Sequence, residues 1–154
     1  MPTLERAALV ALGSTTGPFG HIYRRTDFEQ PYFDDLDQPA VYPSFHVLAG
    51  LAQAAGKPHF STTLSQQGKL AALAFSLNKK TQLWLANLTS NAVTAVIPSV
   101  GTTGARIAQL DERGGAELTT SPDYLDNARI DLASGRVELG AYAVARIEID
   151  TPRR

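Results

Sequence analysis

Cysteine is absent from the 154 residues. That excludes a disulfide scaffold, a thiolate metal site and a cysteine nucleophile, and it fits a reducing compartment. A charge excess of either sign is absent too. The 14 Lys and Arg stand against 15 Asp and Glu, for a net charge of −1. No electrostatic case therefore exists for nucleic acid or for an anionic membrane as partner. The apolar patch near the N-terminus, Ala7 to Leu12, is too short to span a bilayer and lacks the basic start of a signal peptide. The expectation is a soluble, cytoplasmic protein without a cofactor. Tryptophan occurs once, and that residue marks the most informative stretch.

The stretch is Gln82 to Ser90, QLWLANLTS. Leu83 and Leu85 fall on one face of a strand, and Trp84, Ala86 and Leu88 fall on the other. Apolar residues on both faces suit the buried middle of a sheet, where a Trp anchors packing through its area. Hydrophobic content of 44 % with 19 % charged residues describes a globular chain. A chain of this length can bury roughly 68–70 % of its unfolded surface.

From the N-terminus, Ala7 to Leu12 reads as a short buried strand ending at Gly13, with a helix the alternative because Ala and Leu favour it, and GSTTGPFG reads as a loop. Asp27 to Ala40 is an acidic, proline-bearing segment with Phe28, Tyr32, Phe33 and Leu36, read as a long irregular loop. A helix is expected over Phe45 to Ala55. Pro43 stands at its start, Ser44 could cap it, and Val47, Leu48, Leu51, Ala52 and Ala55 form its stripe. Gly56 and Pro58 stop it.

Beyond Pro58 the period changes from helical to two. Strands are expected over His59 to Leu64 and over Leu70 to Leu77, with Ala71, Leu73, Phe75 and Leu77 on one side. A tight turn at Asn78-Lys79-Lys80 leads into the Trp-bearing strand. Val93, Ala95 and Ile97 then alternate with Thr94 and Val96. A loop over Pro98 to Gly104 precedes a strand over Ala105 to Asp111, and Ser121 to Asn127 reads as irregular. Ala133-Ser134-Gly135 is a hairpin-like or connecting turn between Arg129–Leu132 and Val137–Leu139, and Tyr142 to Ile149 closes the domain. Short strands at intervals of about 8–12 residues with Gly, Pro and Asn punctuation are the signature of a β-sandwich. The expected fold is mainly β: an antiparallel sandwich over 57–154, with an N-terminal strand–loop–helix segment over 1–56 packed on it.

Five stretches carry a resemblance. They are LVALGSTTGPFGHIYRR, VYPSFHVLAGLAQAAG, LWLANLT, ARIAQLDE and LGAYAVARIEI. In this order they resemble the C-terminal end of the D-apionate lactonase family, bacterial proteins of carbohydrate catabolism. In that family a glycosidase-like β/α barrel is followed by a β-sandwich. The resemblance falls on Leu12 to Gly20, Val41 to Leu51, Leu83 to Thr89 and Ala141 to Ile147. It implies that residues 1–56 hold the last unit of a barrel whose remainder would lie upstream of Met1. The chain would then be a C-terminal piece or a stand-alone relative. Two departures stand out. Ser14 occupies the place of an acidic residue before Thr15-Thr16-Gly17, and Pro18-Phe19 replaces the aromatic after the glycine.

Candidate chemistry is sparse. His21, His46 and His59 lie far apart without metal-ligand spacing, and no metal site is expected. Asp34, Asp35 and Asp37 lack the full EF-hand spacing, so a solvated loop is the commoner use of such a cluster. Glu29, Asp34, Asp35 and Glu112 could supply a glycosidase pair only if the fold set two of them across one bond. Ser14 sits in a glycine-bearing turn that is not GxSxG. Phe28, Tyr32 and Phe33, with Tyr42, offer flat faces on which a sugar ring could stack, or else they plug the junction of helix and sandwich. Asn87-Leu88-Thr89 matches a glycosylation triplet but lies in a strand and carries no weight. The ligand-binding candidates are therefore Ser14, His21, Phe28, Tyr32, Phe33 and His46, and no catalytic residue is assigned. The expected role is a non-catalytic accessory domain of a carbohydrate-active protein, which would cap and stabilise a barrel or assist sugar binding. The alternatives are a small carbohydrate-acting hydrolase and a protein-interaction module. A sugar or sugar acid, and self-association through the N-terminal segment, are the partners these readings imply.

Overall fold

A computed structural model describes residues 40–102 and 104–150. The expected strand at Ala7–Leu12, the GSTTG loop and the 27–39 part of the long loop lie outside the described residues. The described part falls into two compact units. One contains residues 40–50 and 115–124, and the other contains 51–102, 104–114 and 125–150.

In the smaller unit, helix α1 (Pro43–Ala52) begins. It starts two residues before the expected point, because proline at the first helical position has φ pre-set and needs no N–H partner. Ser44 is thus inside the first turn. The helix also stops three residues early, and residues 53–56 form turns closed by Gly56 at φ +69°. Its buried residues are His46 and Gly50, one position away from the predicted stripe. His46 takes a buried place because Leu118 supplies a carbonyl for it. Helix α2 (Glu117–Thr120) belongs to the same unit, and the Val41 N–H donates to the Thr119 carbonyl at 2.7 Å. A one-turn helix, α3 (Tyr124–Asn127), occupies a segment read as irregular. The apolar pair Tyr124 and Leu125, 7 % and 4 % exposed, lies buried there among polar neighbours.

The larger unit is an antiparallel β-sandwich. Its first sheet has the order β1–β2–β3–β8–β5–β6. These strands are His59–Phe60, Leu70–Leu77, Lys80–Asn87, Val144–Asp150, Ala105–Leu110 and Ile130–Asp131. The second sheet pairs β4 (Val93–Val96) with β7 (Arg136–Leu139). The β2–β3 hairpin turns on Asn78 and Lys79, whose φ values of 51° and 62° are those of the two-residue turn that matches strand twist. β1 is much shorter than predicted, since the chain leaves the sheet after Phe60 pairs with Ala74. The closing strand starts at Val144 rather than Tyr142, because residues 140–143 form a turn with Tyr142 at φ 54°.

Register decides which residues meet. Ala74, Leu83, Ile147 and Ile107 lie in one row across four strands. With Leu85, Ala95, Val137, Leu139 and Ala145 they form the core between the two sheets. On β2 the residues facing that core are Leu70, Ala72 and Ala74. The predicted inward set was Ala71, Leu73, Phe75 and Leu77. Phe75 is nevertheless fully buried, on the opposite face, where Trp84, Gln82 and Arg146 are buried as well. Alternation identified two faces, and both are covered at the centre of the sheet, so hydrophobicity alone could not say which faces the partner sheet.

β6 joins the first sheet and β7 the second, so Ala133-Ser134-Gly135 is a crossing between layers and not a hairpin. At this crossing the Ile97 N–H donates to the Gly135 carbonyl at 2.7 Å. A Cβ on Gly135 would overlap the Ile97 carbonyl oxygen and stand 3.2 Å from its carbon. Both atoms are backbone and cannot swing aside. Gly135→Ala is expected to cost about 1–3 kcal/mol through overpacking, read as a lowered urea midpoint. An unchanged midpoint would show that the two segments do not cross this closely.

Candidate functional site

Of the six predicted binding residues, Ser14, His21, Phe28, Tyr32 and Phe33 lie outside the described residues. His46 is 3 % exposed, and its Nε2 donates to the Leu118 carbonyl at 2.7 Å. Its ring lies 5.7 Å from Phe45 and 5.9 Å from Tyr124. Among the described residues no three His, Asp or Glu side chains converge on a position that could hold a metal ion. No described helix is long and apolar enough to cross a membrane.

The ionic groups of the larger unit are largely committed to one another. Glu148 accepts from Arg129 at 2.6 Å and from Arg106 at 3.1 Å, with Lys80 3.7 Å away. Lys80 also reaches Asp150 at 3.0 Å. Arg146, only 5 % exposed, donates to the Leu125 carbonyl and to Asp126, both at 2.6 Å. Asp111 holds the Arg113 guanidinium at 2.8 Å. Cations and anions alternate across β3, β8 and β5 at Lys80, Glu148 and Arg106, while buried Arg146 takes its carboxylate from Asp126 of α3, and pairing is the condition for burying such a charge at all. Carboxylates neutralised in this way are poorly placed to act as a general acid–base pair.

Asn87, weighed in the sequence only as part of a glycosylation triplet, bonds to several backbone groups and to Thr89. It is 2 % exposed. Its Nδ2 donates to the carbonyls of Asn91 and Gly140, each at 2.7 Å, with that of Leu139 at 3.4 Å. Its Oδ1 accepts from the Thr89 N–H at 3.0 Å and from the Thr89 hydroxyl at 2.9 Å. Because Leu139 ends β7, this amide pins the end of β3 to the second sheet. The Asn-x-Thr spacing at a strand end was the available signal, since such side chains bond backbone two residues on.

A cleft of about 600 Å³ opens at one side of the sandwich. One wall is the segment Ser61 to Gln66, which carries Ser61, Thr62, Thr63, Ser65 and Gln66. The floor is the inner face of β2 and β3 at Leu70, Ala72, Leu83 and Leu85, and the opposite wall is β4 with Ile97. Among the described residues β1 ends at Phe60 and the second sheet has two strands, which leaves room for the cleft. The hydroxyl-rich residues 61–66 after Phe60 belong to no strand. Two smaller cavities, of about 220 and 310 Å³, are lined by charged residues. Asp111 and Arg113 lie in the first, Lys80 and Asp150 in the second, and each pair is bonded to itself.

The sequence of the β-sandwich, from residue 67 to residue 147, matches the model of the D-apionate lactonase C-terminal immunoglobulin-like domain, which is more than half of the chain. The chain belongs to this family. Antiparallel strands in two packed sheets are what an immunoglobulin-like domain requires. The lactonase domain also resembles part of a glycoside hydrolase family 30 endoxylanase from Clostridium papyrosolvens. The TM-score is 0.51 at 14 % identity, covering 72 % of this chain and 28 % of the xylanase. A family 30 subfamily 8 xylanase from Clostridium acetobutylicum aligns with 86 % of this chain and 31 % of its own, at 16 % identity and a TM-score of 0.47. The chain thus spans under a third of either xylanase. No curated protein matches it. At these identities the first likeness is one of fold, and family membership places the chain among accessory domains of carbohydrate-active proteins.

Proposed function

We propose that the chain is a non-catalytic accessory domain whose work is to cap and stabilise the barrel of a D-apionate lactonase-like protein. The family match over residues 67–147 carries this reading. The pairing of Glu148, Asp126, Asp150 and Asp111 with cations supports it, because these carboxylates serve the fold.

The test is a fusion. A D-apionate lactonase barrel deprived of its own C-terminal domain is compared with the same barrel carrying this chain at its C-terminus. The fused barrel should melt higher by about 2–8 °C, the effect of 1–2 kcal/mol at 2–4 °C per kcal/mol. The isolated chain should hydrolyse a panel of aldonolactones no faster than buffer does. An unchanged barrel melting temperature would overturn the stabilising role, and turnover by the pure chain would overturn the non-catalytic one.

A further inference from the structure

We propose that the cleft between Ser61–Gln66 and β4 binds a neutral oligosaccharide and discriminates against sugar acids; the ligand class rests on the carbohydrate reading of the domain. Residues Val93 to Ile97 line the cleft consecutively. Side chains alternate between faces along a strand, so a cavity that meets every residue in turn lies along the strand's edge. Among the described residues β4 pairs with β7 alone, so the backbone N–H and C=O groups of its other edge face the cleft.

Across from that edge stand the hydroxyls of Ser61, Thr62, Thr63 and Ser65 and the amide of Gln66. Each hydroxyl both donates and accepts. Such a wall can match the hydroxyls of a sugar ring, whichever way they point. Below them the partly buried Leu70 and Ala72, resting on the core residues Leu83 and Leu85, give an apolar floor suited to the C–H face of a ring. No charged residue lines the cleft among the described residues. A carboxylate entering it would lose water without gaining a cation, which is costly. A neutral chain of about two or three rings fits, since pockets of roughly 300–1,000 Å³ take ligands of that size. The two smaller cavities differ in this respect, because charged side chains line both of them.

The probes are xylotriose, which is neutral, and trigalacturonate, which is anionic and of the same length. Each is titrated into the full chain while backbone amide shifts are followed. Xylotriose should shift the amides of residues 61–66 and 93–97 saturably, in the millimolar range, and trigalacturonate should leave them in place. The variant Thr62→Val, Thr63→Val, Thr94→Val keeps side-chain shape and removes three hydroxyls. It should weaken xylotriose binding by about tenfold or more, equivalent to 1.4 kcal/mol, at an unchanged melting temperature. Should that variant melt early, Thr62→Val with Thr63→Val carries the test, because both side chains are exposed. The proposal is overturned by silence to both probes, by shifts confined to other residues, by an equal response to trigalacturonate, or by undiminished binding in the variant. Those results leave the buttress role intact, because the fusion experiment reads barrel stability and involves no sugar.

Discussion

Trp84→Ala lowers the stability of the domain by about 3–5 kcal/mol, the cost of deleting a buried Trp side chain. Trp84 is 4 % exposed and sits on β3, the third of six strands. Its neighbours in register are Leu73 on one side and Arg146 on the other. Its Nε1 donates to Gln82 Oε1 at 3.1 Å, and Gln82 is itself 3 % exposed. Alanine therefore opens a cavity and removes the donor from a buried amide oxygen, and the two costs add. The melting temperature should fall by about 6–20 °C, at 2–4 °C per kcal/mol for a chain of this size. Trp84→Phe keeps most of the buried area and should cost roughly half as much, the residue being the lost hydrogen bond. Urea unfolding measures both. A loss below about 1 kcal/mol in the alanine variant would mean that the outer face of the sheet is not covered at its centre.

Asn87→Asp is expected to be more damaging than Asn87→Ala at neutral pH, although it is the closer match in shape. The amide donates to carbonyls of Asn91, Leu139 and Gly140. Alanine leaves those carbonyls and the Thr89 donors short of a partner, at about 1–3 kcal/mol. A carboxylate would keep the acceptor role toward Thr89. It would also set a buried negative charge against three carbonyl oxygens. Burial and those dipoles hold the new carboxyl in its protonated form, so its folded pKa rises above the unfolded value of about 3.9. Folding then favours proton uptake. The variant's stability is fully present below the unfolded pKa and is lost as pH rises through the folded one. Its deficit relative to wild type should therefore widen between about pH 4 and pH 7, while that of Asn87→Ala stays level. Urea midpoints across that range test the sign. A deficit independent of pH and equal to alanine's would show that the amide makes no donor contacts to backbone.

The parts legible beforehand share a local cause. The turn at Asn78-Lys79 was marked by a residue type that accepts positive φ. The β4 face was marked by the alternation of Val93, Ala95 and Ile97, of which Ala95 and Ile97 are buried. The helix after Pro43 was marked by its proline. Errors entered where a distant partner decided the outcome. The stripe of α1 was misplaced because His46 is buried by virtue of the Leu118 carbonyl, 72 residues away. His59–Leu64 was drawn as a full strand, but strand formation also needs a neighbour, and pairing ends at Phe60. Of the predicted binding residues, only His46 lies within the described structure, and its Nε2 is engaged with backbone.

By itself the sequence determined the class of fold, since period-two alternation with turn residues at short spacing admits little other than antiparallel sheets. It also determined the family, through the stretch Leu83 to Thr89 at the end of β3 and the closing Ala141-Tyr142-Ala143-Val144-Ala145. Only the tertiary structure decided which face of β2 meets the second sheet, why Gly135 must lack a side chain, and that Asn87 joins the two layers. It alone decided that a neutral, hydroxyl-walled cleft opens beside β4. The reason is that a chain's periodicity records which residues share a face. Which distant strand, carbonyl or empty space that face meets depends on pairings between residues far apart in sequence, and these leave no local mark.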